Sequence, residues 1–166
     1  MNLLPLDCFA ACNTHARVLS GSATHSDGAS SVVTCAKREG NLYHEHQDAQ
    51  TLAEWGVDYW KYDACGEDNL QAFAKFTVMR DALNRTGRPM VYSFEPHGSA
   101  SYNPVAWPAL TGNSWRTGHD IGDGYGSVMG SLAKANAWAN VGGPGGFNDA
   151  DSELLNTEPS WGLVHK

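Results

Sequence analysis

Trp55-Gly56-Val57-Asp58-Tyr59-Trp60-Lys61-Tyr62-Asp63 is the stretch on which the fold turns. A short apolar run that follows a glycine and ends in charge reads as a buried strand, Val57–Tyr62, opening into solvent. Alternate side chains of a strand leave on opposite faces, so Lys61 and Asp63 point the same way. The neighbouring ammonium favours the ionised acid, which is the state a nucleophile needs. What Asp63 can do then depends on a second carboxylate able to face it.

Working outward, Asp48 is placed to cap a short helix with Ala49, Leu52, Ala53 and Trp55 on its apolar side, stopped by Gly56. Downstream, the spacing of Leu70, Phe73, Phe76, Met79 and Leu83 predicts a helix over 68–84, ended by Gly87 and Pro89. Met90–Glu95 reads as the next strand and Ala109–Arg116 as another. A helix over 127–139 and a glycine-rich strand and loop over 141–148 follow. Met1–Gly28 has no convincing period and reads as irregular. Strands alternating with helices place the chain in the α/β class, with parallel βα units. Gly142-Gly143-Pro144-Gly145-Gly146 lacks the Lys-Ser/Thr ending of a phosphate-binding loop.

Composition narrows the function. Of the 166 residues, 42% are apolar and only 17% charged, as in an enclosed globular protein. A net charge of −7 argues against a nucleic-acid partner. Six tryptophans and eighteen glycines suit sugar handling, where indoles stack on apolar ring faces, although buried tryptophan is more often plain core. No stretch is long and apolar enough to span a membrane. Met1–Cys12 is no clear signal peptide, since it lacks a basic start and Asp7 interrupts its apolar run. The four cysteines, Cys8, Cys12, Cys35 and Cys65, permit disulfides without establishing them, and no Cys/His set completes a zinc site. No metal or cofactor is expected.

In parallel α/β folds chemistry sits at the carboxyl ends of the strands. Four polar sets fall there: Lys61/Asp63, Glu95, Arg116/Asp120 and Asn148/Asp149/Asp151. A single carboxylate after a strand is more often a helix cap, so their repetition carries the weight. Two carboxylates facing each other across a barrel mouth are the equipment of glycoside hydrolysis. Asp63 should stay charged beside Lys61. Asp120 stands on a loop whose environment is expected to raise its pKa toward that of a general acid. Metal binding by Asp149 and Asp151 competes weakly, because no histidine joins them at ligand spacing.

The run Ala53–Asp63 resembles the nucleophile strand of glycoside hydrolase family 27, the α-galactosidases and α-N-acetylgalactosaminidases also called melibiases. The resemblance continues, in order and spacing, through Met79–Pro89, Tyr92-Ser93, Gly112–Thr117, Asp120-Ile121 and Gly143–Asp149. It implies that Asp63 is the nucleophile and Asp120 the acid/base of a retaining reaction on a terminal α-galactose. By the same resemblance Lys61 hydrogen-bonds sugar hydroxyls, and Glu95 and Arg116 meet a 2-hydroxyl rather than an acetamide. Asp151 joins the substrate-binding set, with capping as its bland alternative. The resemblance also implies a Cys35–Cys65 disulfide and a glycosylated Asn84 in Asn84-Arg85-Thr86. Secretion or a lysosomal or vacuolar location follows, and the full-length family adds a homodimer.

The fold implied is a (β/α)₈ barrel, which typically needs about 250 residues. The resemblance covers Ser26–Asp151, about strands three to seven, leaving 1–25 as an irregular segment and 152–166 as an unplaced tail. Pro96, Phe147, Ala150 and Ser152 depart from the residues usual at those positions, without touching either carboxylate. A partial barrel exposes sheet edges and apolar faces. The competing expectation is a fragment or pseudoenzyme that keeps the motifs without a closed pocket. A retaining pair requires carboxylates about 5–5.5 Å apart.

Overall fold

A computed structural model describes residues 24–65, 72–96 and 107–151. Among these residues five strands make one sheet: β1 His25–Ala29, β2 Tyr59–Asp63, β3 Val91–Phe94, β4 Ser114–Arg116 and β5 Phe147–Asp149. Between them lie α1 Glu45–Glu54, α2 Ala72–Arg85, the short α3 Pro108–Thr111 and α4 Tyr125–Ala137. All four strand pairings are parallel, and the spatial order β1-β2-β3-β4-β5 is the chain order. A doubly wound sheet reverses direction partway, whereas a barrel adds each strand beyond the last. The sheet is therefore an arc of a (β/α) barrel.

Register sorts the side chains onto two faces. Gly28, Tyr62, Phe94, Trp115 and Asn148 align in one row. This face is aromatic and buried, and with Trp60 and Tyr92 it packs on Ala49 and Leu52 of α1 and on Phe76, Met79 and Leu83 of α2. Trp107 stacks on Phe94, with ring centres 5.6 Å apart. The other face carries Asp27, Lys61, Ser93 and Ser114 in one row, then Asp63, Arg116 and Asp149 toward the carboxyl ends. One face thus builds the core, and the other holds the charge.

The element starts depart from the expected ones for identifiable reasons. His25–Ala29 is a strand, not irregular chain; its HSDGA sequence has no apolar period, and pairing with β2 alone fixes it. α1 begins at Glu45 rather than at Asp48, and Asp48 N–H already donates to His44 O inside the helix. The Asp48 carboxylate instead accepts from Asn41 Nδ2 at 2.7 Å, while Asn41 Oδ1 accepts Ala29 N–H. Trp55 stands outside the apolar side, 71% exposed. The expected strand over Ala109–Arg116 is half helix: Pro108 starts α3, and only 114–116 is strand. Gly112 makes that junction, because a Cβ there would sit 2.8 Å from Tyr92 O. α4 starts at Tyr125, and the last strand is the short β5. The expected beginning of the second helix at 68–71, Cys8, Cys12 and the tail 152–166 lie outside the described residues.

Two clasps fix where the strands begin. Arg88 donates to Val57 O, Gly56 O and Asp58 Oδ1 at 2.7–2.9 Å, joining the turn before β2 to the approach to β3. Asn113 Oδ1 accepts Tyr92 N–H at 3.0 Å, and its Nδ2 donates to Gly145 O at 3.2 Å. Apolar groups that stand exposed among the described residues include Tyr125 and Leu132 of α4 and Phe147 of β5. Among the described residues no helix is long and apolar enough to cross a membrane.

Candidate active site

The charged ends of three neighbouring strands meet. On β2, Lys61 Nζ lies 3.5 Å from Asp63 Oδ1, with both side chains on the face that alternation requires. The Lys61 side chain is buried and that of Asp63 is partly open. Beyond β3 stands Glu95, whose backbone N–H bonds to Tyr62 O and so continues the parallel ladder. On β4, the buried Arg116 reaches three carboxylates. Its Nη1 is 3.2 Å from Glu95 Oε2, and its Nη2 is 2.8 Å from Asp120 Oδ1 and 3.3 Å from Asp151 Oδ2.

These contacts set the charge states. Burial pushes the Glu95 carboxyl up to about 7, against the pull of Arg116, and the negative charges of Asp63 and Asp120 add to the rise. Arg116 is pulled down by burial but, on balance, raised by the Asp120 hydrogen bond and by the charges of Glu95 and Asp151. Asp120 reverses the sequence expectation. Its hydrogen bond to Arg116 holds its carboxyl below the usual range, and Lys61 and His119 add to that. Asp120 lies four positions after Arg116, and the guanidinium reaches it directly. The group expected to be raised is lowered, and the raised carboxyl is that of Glu95.

All six expected site residues, Lys61, Asp63, Glu95, Arg116, Asp120 and Asp151, therefore fall into one electrostatically connected cluster. Cys35 and Cys65 are joined by a disulfide, Cα atoms 5.0 Å apart, two residues beyond Asp63. Asn84 is exposed on the last turn of α2. Among the described residues, no group of three or more His, Cys, Asp or Glu is arranged to hold a metal ion.

Supporting groups are less visible in sequence. Asp149 O accepts Thr117 N–H at 2.9 Å and the Thr117 hydroxyl at 3.0 Å, fastening β5 to the chain that leads to Asp120. Trp115 Nε1 donates to Asn148 Oδ1 at 2.8 Å on the opposite face, anchoring the strand that carries Arg116. Ser93 is fully buried in register with Lys61, and its hydroxyl has no hydrogen-bond partner among the described residues. The signal for Ser93 was its spacing, two residues before Glu95 and so on the same face.

A family model described as alpha galactosidase A, Melibiase_2, matches residues 15–163. The chain belongs to this family. Among melibiase relatives, an alpha-galactosidase of Cyamopsis tetragonoloba is 46% identical over 71% of this chain and 28% of its own length. An alpha-galactosidase of Oryza sativa is 41% identical, again over 71% of this chain and 28% of its own. The solved alpha-galactosidase I of Mortierella vinacea superposes with a TM-score of 0.72 at 30% identity, over 78% of this chain and 38% of that one. The chain thus spans under a third of the length of these curated melibiases. The five-stranded arc is part of the melibiase barrel.

Proposed function

We propose that this chain carries the reacting centre of a retaining α-galactosidase, with Asp63 as nucleophile and Asp120 as acid/base. The observation that carries the reading is the placement of Lys61/Asp63, Glu95 and Arg116/Asp120 at the carboxyl ends of successive parallel strands. On this reading residues 26–151 are the catalytic portion. Likeness to named alpha-galactosidases, one of them solved with raffinose, supports an α-galactoside as substrate.

The Asp63 carboxylate, 3.5 Å from Lys61, attacks the anomeric carbon as the glycosidic carbon–oxygen bond breaks. The departing oxygen takes a proton from Asp120. Water then attacks the same carbon, Asp120 takes a proton from it, and the bond to Asp63 breaks, restoring the Asp63 carboxylate and the protonated Asp120. The arrangement described here, with Asp120 ionised on Arg116, matches the base of the second step. For the first step Arg116 must turn from Asp120, and Glu95 and Asp151 give it two other carboxylates to hold. A guanidinium beside Glu95 suits a sugar 2-hydroxyl, which can both donate and accept; an acetamide is larger and offers less.

The Cys35–Cys65 bridge and the exposed Asn84 in its sequon support an oxidising, glycosylating compartment and hence a secreted or vacuolar enzyme. Chromophore release from an aryl α-galactoside by the purified chain, with Asp63→Asn as control, tests the activity. Turnover abolished by the substitution supports the proposal. No turnover by this chain, beside turnover by a full-length relative, places it with the non-catalytic fragments.

A further inference from the structure

We propose that Asp151 is a positioning residue: it clasps the loop that carries Asp120 and holds Arg116 beside it. The meaning of this clasp for catalysis rests on the acid/base reading of Asp120, but its geometry does not. Asp151 stands just beyond β5, and its carboxylate is buried. Oδ2 accepts the backbone N–H of Ile121, the residue after Asp120, at 2.6 Å. The same oxygen lies 3.3 Å from Arg116 Nη2, the nitrogen that donates to Asp120. One carboxylate oxygen therefore touches both supports of the acid/base residue, its neighbouring backbone and its guanidinium.

Asp120 needs such support. Its side chain is 87% exposed, so packing does not hold it. The loop around it includes Gly118, Gly122 and Gly124, with the last at φ +142°. Asp151, in contrast, is fixed from two sides. Its own N–H donates to Asp149 Oδ1 at 2.8 Å, and its backbone is left-handed, φ +75°. Aspartate and asparagine tolerate that conformation better than other residues with a Cβ. A left-handed turn aims the carboxylate back under the Asp120 loop, and the short side chain that permits the turn also makes the clasp.

Hydrogen–deuterium exchange at single amides of the full chain tests the clasp without requiring turnover. Ile121 N–H should be protected in the parent, and Asp151→Ala should speed its exchange at least tenfold while Trp115 N–H in β4 keeps its rate. Asp151→Asn retains an oxygen acceptor and the left-handed tolerance, so it should restore Ile121 protection. Equal speeding of Ile121 and Trp115 in Asp151→Ala, not rescued in Asp151→Asn, would mean a merely structural residue and would overturn the proposal. An Ile121 amide unprotected in the parent would overturn it as well. Should Asp151→Ala fail to fold, the parent and Asp151→Asn decide: protection in both supports the clasp, and loss in either refutes it. A protected Ile121 in a chain that turns over no galactoside would leave the clasp standing and fail the hydrolase reading alone.

Discussion

Glu95→Gln replaces a carboxyl that the fold prefers protonated with one that cannot ionise. Burial raises Glu95 from the ordinary 4.5 to about 7. At about 1.4 kcal/mol per factor of ten in proton affinity, that rise corresponds to about 3 kcal/mol. The sign follows from which state holds the proton. Between pH 4.5 and 7 the folded chain keeps the proton and the unfolded chain loses it, so stability falls as pH rises through this window. Below the window the contribution is fully present; above it the loss is complete. The glutamine variant should nearly match the parent at pH about 4.5, the foot of the window, and exceed it by about 2–3 kcal/mol at pH about 8. In a domain of this size that is about 4–12 °C in Tm. Guanidinium denaturation of both proteins at the two pH values, with the disulfide intact, measures it. A parent whose stability is flat across the window, or a variant less stable at the higher pH, would refute the assignment of the site's proton to Glu95.

Three other perturbations follow from the same contacts. Arg116→Ala strands the half-buried carboxylate of Glu95 and the buried one of Asp151 and should cost about 3–5 kcal/mol at pH 8, shrinking in acid as Glu95 protonates; exposed Asp120 adds little. Denaturation at the two pH values reads the difference. Cys35→Ser opens a bridge between residues 30 apart and should cost about 3–4 kcal/mol in the loop-entropy picture, seen as a lower midpoint that reductant no longer shifts. Gly112→Ala drives a Cβ to 2.8 Å from Tyr92 O and should destabilise by about 1–3 kcal/mol, by the same melts.

What could be read from sequence was what local rules decide. Lys61 and Asp63 share a face because a strand alternates, and no tertiary contact can change that. The helix through Phe76, Met79 and Leu83 was legible because one long apolar period outlasts noise at its ends. β1 was not legible, since its polar HSDGA sequence becomes strand only by pairing with β2. The start of α1 was misplaced because Asp48 resembles a cap until Asn41, seven residues away, is seen to take its carboxylate. For Asp120 the neighbourhood was legible but the charge state was not. Sequence places it on a loop near Arg116, whereas the direction of its pKa depends on a 2.8 Å contact that only folding sets.

The central claim is that Asp63 attacks sugar. Incubating the chain with an activated fluorinated α-galactosyl substrate, whose slow second step traps the covalent intermediate, and mapping the adduct by peptide mass spectrometry tests it directly. The account predicts one sugar on the peptide bearing Asp63, absent from Asp63→Asn. A label on Glu95 or Asp120, or an unlabelled chain beside a labelled full-length relative, would contradict it.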